Sequence, residues 1–252
     1  MKKYYSSFVI LILLVGVILI GKAQNANASF VLTLDDLGTI GIDVIIVDDV
    51  DGVIGTLTSV GVSNTADASL GDGLISYTGA AGSFAVNFTA GASKPVIGPQ
   101  QIDLVDLSIT GAAGSLVLGL TDTGFIGSGI PSSITDAIGG TTVGTVLASG
   151  HYDPANVEFG LGAIPASLGP FVAPTQGTVE PFSGSASAAV AAHAGLFSLT
   201  KFVTITHTTG GATSFNNSLS VPEPGLALLL GISLVGLVGV GATRRFKGAK
   251  KE

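Results

Sequence analysis

The densest group of potential metal ligands in the sequence is the acidic stretch 48–52, which reads Asp-Asp-Val-Asp-Gly. Carboxylate oxygens are the ligands that Ca²⁺ prefers, but in the register of an EF-hand loop Val47 takes the first ligand position and Thr58 takes that of the bidentate glutamate. An EF-hand is therefore excluded. Two interpretations stay open, a solvated turn between strands or a looser calcium site formed by Asp48, Asp49 and Asp51 with Asp35 and Asp36 as further donors.

Catalytic motifs are missing from the sequence. The three histidines, His151, His193 and His207, are scattered without metal-ligand spacing, and neither a Gly-x-Ser-x-Gly elbow nor a phosphate-binding loop occurs. Acidic residues are so numerous that a pair suited to glycoside hydrolysis carries no information. Tryptophan is absent, so the aromatic platforms that stack on sugars are not expected. We expect no catalytic residues, no cofactor and no enzyme activity.

The charge of residues 29–221 is strongly negative, because fifteen acidic residues stand against Lys94 and Lys201 alone. Such a surface repels nucleic acid and anionic lipid head groups. The chain has no cysteine, so neither disulfides nor thiolate metal sites contribute to its stability. About 190 residues can nevertheless bury a single hydrophobic core without such cross-links.

Strand-forming residues dominate this central region, in which Val, Ile and Thr alternate with polar residues between Gly, Asp and Ser turns. The pattern predicts an all-β, antiparallel sandwich or jelly roll. The predicted strands are 30–34, 40–47, 53–62, 74–78, 84–89, 102–110, 116–121, 142–148, 197–208 and 213–220. Residues 160–177 read as a long loop, and residues 186–194 as either a short helix or an edge strand.

An internal repeat refines this prediction. The stretch 75–84 contains Gly-Ala-Ala-Gly-Ser, which recurs in 107–116, and each copy continues as an alternating strand. Glycine has no Cβ, so the glycines at both ends of each turn can adopt positive φ without a steric penalty. The repeat predicts two similar hairpins whose large residues face one core, and a third hairpin is predicted to turn at Gly210 and Gly211.

The first 28 residues have the pattern of a secretory signal peptide. Lys2 and Lys3 precede the apolar run 8–20, and Ala26 and Ala28 form a small-x-small cleavage site. Thirteen apolar residues are short for a membrane span. We expect export, cleavage by signal peptidase and a mature chain that starts near Ser29.

The C-terminal region combines a proline motif, an apolar run and a basic end. Val221, Pro222, Glu223 and Pro224 come before the apolar residues 225–242, and Arg244 and Arg245 follow. As a helix, the nineteen residues 225–243 extend about 28 Å, close to the hydrocarbon thickness of a bilayer. The basic end should stay in the cytoplasm while the residues before it are exported.

This order of features resembles the PEP-CTERM sorting signal of Gram-negative bacteria. The resemblance implies that exosortase recognises Val221, Pro222, Glu223 and Pro224, that residues 225–242 span the inner membrane, and that Arg244 and Arg245 form the basic stop. It also implies a cell-surface or matrix location, with exopolysaccharide as a partner. More loosely, residues 67–224 resemble a β-rich passenger domain common among such proteins, for which no activity is implied.

The sequence thus predicts three parts: a signal peptide (1–28), a β-sandwich passenger domain (29–220) and a sorting signal (221–252). The favoured function is structural or interactive, at the cell surface or in an extracellular matrix. The alternatives are a calcium- or carbohydrate-binding adhesin and, third, a hydrolase.

Overall fold

The computed structural model describes residues 29–48, 73–98, 100–162, 164–175 and 177–222, which form two packed antiparallel sheets. The predicted all-β sandwich is thereby confirmed. Sheet A has the strand order β2-β1-β6-β11-β8-β9, and sheet B has the order β10-β7-β12-β5-β4-β3. The strands are β1 (Phe30–Asp36), β2 (Val44–Val47), β3 (Leu74–Ala81), β4 (Phe84–Ala92), β5 (Gln101–Gly111), β6 (Gly114–Ile126), β7 (Ser132–Thr142), β8 (Thr145–Asp153), β9 (Ile164–Val172), β10 (Glu180–Val190), β11 (Leu196–His207) and β12 (Gly211–Ser220).

Strands β5 to β12 have the connectivity of a jelly roll. Their orders are β10-β7-β12-β5 in sheet B and β6-β11-β8-β9 in sheet A. Strands β5 and β7 thus lie in sheet B with their successors β6 and β8 in sheet A, whereas β9 and β11 lie in sheet A with their successors β10 and β12 in sheet B. The hairpin β3–β4 extends sheet B beside β5, and β1–β2 extends sheet A beside β6.

Alternation of apolar and polar residues places one face of each strand in a shared core. In β6 the core side chains are Leu116, Leu118 and Leu120, and opposite them lie residues such as Phe84 and Ile109. Both copies of the repeat therefore face one core, as predicted. Fully burying one such side chain contributes about 1.5–3 kcal/mol, so the interior supplies the main stabilisation of a chain without disulfides.

The two ends of the sandwich differ. At the crossover end, the chain passes between sheets at four connections, β5–β6, β7–β8, β9–β10 and β11–β12, whereas at the opposite end it does so at β6–β7 and β10–β11. At the opposite end, which we call the terminal end, Ser29 enters and Pro222 leaves. The Ser29 N–H donates to Thr123 Oγ1 (2.9 Å), and the Val221 N–H donates to the Gln100 carbonyl (3.0 Å).

Three local predictions are corrected. The β3–β4 hairpin forms, with Ala81 opposite Phe84, but the second repeat copy is a corner, because β5 belongs to sheet B and β6 to sheet A. The third predicted hairpin, β11–β12, is likewise a corner between sheets. The predicted loop 160–177 contains β9, and β7 was not predicted. Of the two interpretations of 186–194, the edge strand is confirmed for residues up to Val190 in β10.

No helix long and apolar enough to cross a membrane occurs among the described residues. The predicted signal peptide with Ala26 and Ala28, the strand 53–62, and the apolar run with Glu223, Pro224, Arg244 and Arg245 lie outside the described ranges. They stay predictions.

Candidate functional site

A β-bulge interrupts the pairing of β5 with β12. Leu107 pairs with Phe215 and Leu104 pairs with Asn217, so Val105 and Asp106 together oppose the single residue Asn216. Asp106 adopts a positive φ of 51°, and its N–H donates to Asn216 Oδ1 (2.6 Å). The bulge also changes which residues of β5 face the core, from Leu104 before it to Leu107 after it.

The bulge opens a pocket of about 370 Å³, which we call the bulge pocket, on the outer face of sheet B. It is lined by Asp103, Leu104, Val105, Ala137, Ile138, Gly139, Asn216, Asn217 and Ser218. The alternate residues of β5, β7 and β12 supply its side-chain walls, while the buried residues between them contribute the floor. Three adjacent strands therefore fix its shape.

Asp103 carries the charge in this lining. Its Oδ2 accepts a hydrogen bond from Gln101 Nε2 (2.7 Å), and the same Gln101 amide also lies 3.4 Å from Ser218 Oγ. Its Oδ1 is buried and has no hydrogen-bond partner among the described residues. A buried acceptor without a partner is costly, which makes the Asp103 carboxylate an incompletely satisfied polar group of the pocket lining.

Asn216 adds a donor to the pocket. Its Oδ1 is already used by the Asp106 N–H, so its exposed side chain presents the NH₂ group. Val105, Ala137 and Gly139 add small apolar surface between the polar groups. Acceptors, donors and a flat apolar wall together suit a ligand with many hydroxyl groups and a C–H face.

Beneath the bulge pocket, three polar side chains lie in the hydrophobic core, and we call them the core triad. Lys201 of β11 and Asp136 of β7 are both 0% exposed, and Asn217 of β12 is 2% exposed. Each occupies the core-facing position of its strand, so the triad joins the two sheets.

The hydrogen bonds of the core triad converge on Asn217. Lys201 Nζ donates to the main-chain carbonyls of Asn217 and Ile102. Asn217 Nδ2 donates to Asp136 Oδ1 (2.7 Å) and to the Ala137 carbonyl (2.9 Å). Asp136 Oδ2 and Asn217 Oδ1 are buried without partners in the described part of the chain.

Burial determines the protonation of this triad. It lowers the pKa of Lys201 to about 7, against the opposing effect of the Asp136 and Asp103 charges. It also raises the pKa of Asp136, although Lys201 and the Asn217 hydrogen bond act in the opposite direction. Both shifts favour a neutral amine beside a neutral carboxylic acid.

A second polar and aromatic surface lies on the outer face of sheet A. The Phe159 and Phe202 ring centroids are 6.1 Å apart, and His151 meets Phe202 edge-on at 6.0 Å. Phe159 has a positive φ of 52°, and a Cβ on Gly119 would lie 3.0 Å from the Phe159 ring. This small aromatic cluster had not been expected from the sequence.

The sequence-predicted ligands and motif residues are spread over the fold. Asp48 follows β2 at the terminal end, where its Oδ2 accepts the Gly73 N–H (2.6 Å). Asp36 lies at the crossover end, where the Ser83 N–H and hydroxyl bind its Oδ2, so it does not converge with Asp48. Within the described residues no group of three or more His, Asp or Glu side chains could hold a metal ion. Asp49 and Asp51 lie outside those residues.

Val221 and Pro222 are the only described residues of the predicted sorting motif. Val221 is buried against the core, and the Pro222 carbonyl accepts a hydrogen bond from Ser132 Oγ (3.0 Å). The motif therefore begins on the sandwich itself, directly after β12.

Sequence reasoning missed the bulge pocket and the core triad, although both left a signal. Apolar positions in β5 shift from 102 and 104 to 107 and 109, the phase change that a bulge produces. Lys201 alternates with Leu199 and Val203, and Asp136 and Asn217 likewise stand between apolar neighbours two positions away. A polar residue at a position of the strand pattern where apolar residues are expected predicts a buried polar side chain.

No protein family and no curated protein matches this sequence. Three solved structures to which parts of this chain are similar are the enzymatically active domain of a bacteriophage CBA120 tailspike protein (9% identity, TM-score 0.32), TmCBM61 in complex with beta-1,4-galactotriose (9% identity, TM-score 0.30), and the K1 cleaved adhesin domain of Lys-gingipain from Porphyromonas gingivalis W83 (5% identity, TM-score 0.28). They cover 59%, 55% and 60% of this chain respectively.

The chain spans 19% of the tailspike chain, 88% of TmCBM61 and 99% of the adhesin domain. At these identities and TM-scores the likeness is to a β-rich architecture and identifies no ligand.

Proposed function

We propose that this chain is an exported, non-catalytic cell-surface or matrix protein that binds a polysaccharide in the bulge pocket. The observation that carries the proposal is the buried Asp103 Oδ1, which has no partner among the described residues and belongs to a side chain that lines the pocket. A sugar hydroxyl would donate to the Asp103 carboxylate, while Asn216 would donate to a second sugar oxygen.

The small polar side chains around the pocket support an extended ligand. Outward residues of β5, β12 and β7 form cross-strand rows such as Ser108, Ser214 and Thr141, and their strands are spaced by about 4.8 Å. Such rows present hydroxyl groups at regular intervals next to the pocket. A chain molecule with repeated hydroxyl groups matches this arrangement better than a single compact ligand.

Binding without hydrolysis is favoured by the composition of the pocket. Its lining contains one carboxylate, Asp103, whereas most glycoside hydrolases flank the scissile bond with two. The partner carboxylate nearest in sequence, Asp106, lies in the bulge, where its main chain is tied to Asn216.

We further propose that the chain is delivered as an inner-membrane precursor and processed at its C-terminal motif by an exosortase. In this proposal the signal peptide would direct export of the sandwich, and the basic C-terminal end would stay in the cytoplasm, so the sandwich would lie outside the inner membrane. The position of Pro222, exposed and two residues beyond β12, leaves the motif next to the folded sandwich. Exopolysaccharide is then the nearest available ligand.

The binding proposal is tested by glycan-array and calorimetric titration of the purified chain. Asp103→Asn removes the acceptor charge with little change of shape, and we expect at least a tenfold loss of affinity for any polysaccharide that the unchanged chain binds, about 1.4 kcal/mol. Asn87→Ala, an exposed change on β4 of the same face, is the matched control and should leave the affinity unchanged.

Two outcomes would contradict the binding proposal. One is equal affinity in the Asp103→Asn variant. The other is loss of binding in Phe202→Ala alone, which would move the ligand to the aromatic cluster on sheet A.

The processing proposal is tested by replacing Pro222, Glu223 and Pro224 with alanine in the producing cells. We expect full-length protein to accumulate in the inner membrane, because the groove of the processing enzyme would lose its extended proline motif. Immunoblotting of envelope fractions measures this. A variant that still reaches the same fraction at the same size as the unchanged chain would show that the motif is not needed.

A further inference from the structure

The core triad holds an amine, a primary amide and a carboxylic acid together in the buried core. The proposed binding function uses none of them. Lys201, Asp136 and Asn217 are each at least 98% buried, and two of their acceptor atoms lack partners among the described residues. Buried lysines are rarely retained without a compensating carboxylate in direct contact. Lys201 instead contacts the main-chain carbonyls of Ile102 and Asn217.

Space for a reaction is provided by Gly150, the cross-strand partner of Lys201 in β8. A Cβ at Gly150 would lie 3.3 Å from Asp136 Cβ and 2.2 Å from Leu219 Cδ1. Because no side chain stands there, the long Lys201 side chain can cross from sheet A to the strands of sheet B. Its Nζ reaches the residue whose side-chain amide is bound to Asp136.

We propose that Lys201 and Asn217 form an intramolecular isopeptide bond, with Asp136 as the proton carrier for the reaction. Such a bond would join β11 of sheet A to β12 of sheet B covalently. It lies in the core, apart from the binding side chains of the bulge pocket, and does not depend on the proposed polysaccharide ligand.

The reaction is balanced within the triad. The lone pair of the neutral Lys201 amine attacks Cγ of Asn217, and a bond forms between Nζ and Cγ. One Nζ proton passes through the Asp136 carboxyl group to Nδ2, the bond between Cγ and Nδ2 breaks, and Nδ2 leaves as ammonia. Asp136 ends in the protonation state in which it began, so it acts as a general acid and base.

Each group has the protonation state that this step requires. Burial lowers the pKa of Lys201 to about 7, so a nucleophilic neutral amine is well populated near neutral pH. Burial also raises the pKa of Asp136, which favours the acid form that can deliver a proton to the departing nitrogen. Burial of all three side chains separates the reacting atoms from bulk solvent.

Peptide mass spectrometry of the full-length chain tests the bond directly. Chymotrypsin can cut after Phe202 and Phe215, both of which lie between Lys201 and Asn217. We expect a branched peptide that joins the two residues, with a mass equal to the sum of the two linear peptides less one ammonia. This readout does not depend on processing at either end of the chain.

Variants assign the roles. Lys201→Met keeps an unbranched side chain without the nucleophilic nitrogen, and it should restore linear peptides. Lys94→Met is the matched control, because Lys94 is the other described lysine and pairs with Asp122 at 2.7 Å at the terminal end; the branched peptide should persist. In Asp136→Asn the branched fraction should be at least tenfold lower than in the unchanged chain at a fixed time after synthesis.

Three results would overturn the proposal. Linear peptides with unmodified Lys201 and Asn217 in the unchanged chain would exclude the bond. A branched peptide that has lost one water and joins Lys201 to Asp136 would show a different acyl partner. An undiminished branched fraction in Asp136→Asn would remove Asp136 from the reaction.

Discussion

His207 is a buried imidazole at the crossover end, 2% exposed. Its Nε2 lies 2.9 Å from Thr213 Oγ1, its Nδ1 has no partner among the described residues, and the Phe84 ring lies 5.9 Å away. Burial lowers the pKa of His207, because a charged imidazolium would lose its hydration there. The folded chain therefore holds this histidine neutral.

The sign of the resulting pH dependence follows from linkage. The unfolded chain binds a proton near the ordinary histidine pKa of about 6.5, while the folded chain resists protonation to lower pH. The stability contributed by His207 is thus present above that pH and is lost as the pH falls towards the folded-state pKa. We expect the free energy of unfolding to fall less between pH 7 and 5 in His207→Gln than in the unchanged chain.

Urea denaturation at several pH values measures this difference. Asp122 and Asp136, whose pKa values burial raises, act in the opposite direction, but they are common to both proteins and cancel in the comparison. Identical pH profiles for the two proteins would show that His207 titrates equally in the folded and unfolded chains.

Residue-level prediction from sequence succeeded for the core and missed the pocket and the triad. Alternation identified side chains such as Leu116 and Leu118 as core-facing because apolar periodicity depends on the strand alone. Lys201 was assigned to the correct strand, but its partners Asp136 and Asn217 come from β7 and β12, one of which was not predicted. Contacts between distant strands require the topology, which a local pattern does not contain.

At the scale of elements, the two copies of Gly-Ala-Ala-Gly-Ser show how far a turn sequence determines structure. In the first copy Gly82 has a φ of 55° and the strands on either side pair with each other. In the second copy, β5 pairs with β4 and β12, while β6 pairs with β1 and β11. The turn permits either outcome, and the partners available to each strand decide between a hairpin and a corner.

The corner between β5 and β6 depends on a close contact. A Cβ added at Gly111 would lie 2.3 Å from Cδ1 of Phe84, whose ring is buried. We expect Gly111→Ala to lower the free energy of unfolding by about 1–3 kcal/mol, the usual result of overpacking. Urea denaturation gives the value.

Gly139→Ala is the control for this prediction, since its added Cβ would meet no atom closer than 3.7 Å. We expect a change within about 0.5 kcal/mol. Equal destabilisation by the two substitutions would mean that loss of glycine, and not contact with Phe84, is responsible.

Edge positions explain two of the elements that were missed or left ambiguous, β9 and β10. β9 contains Pro165 and Pro170, which are loop signals in a central strand but are tolerated at an edge, where an N–H need not be donated. β10 alternates Ser with Ala, small residues that suit either a helix or an exposed edge. Both strands close the same side of the sandwich, beside β8 and β7.

At the scale of the whole molecule, the chain enters and leaves the sandwich at one end. Ser29 is bonded to Thr123, Val221 to Gln100, and the Gln100 side chain to the Ile126 carbonyl (2.9 Å), which links the two exits. A precursor with both termini in the inner membrane is therefore compatible with a folded sandwich. The bulge pocket lies on a broad face of sheet B and not at this end.

The strand that leads to Pro222 has a mechanical consequence. β12 lies in the interior of sheet B, with β5 along one side and β7 along the other, and both neighbours are antiparallel to it. A force applied to the C-terminal exit along this strand must shear two hydrogen-bond ladders together instead of opening one bond at a time. Whatever holds the protein by that exit can pull on it without peeling the sandwich apart.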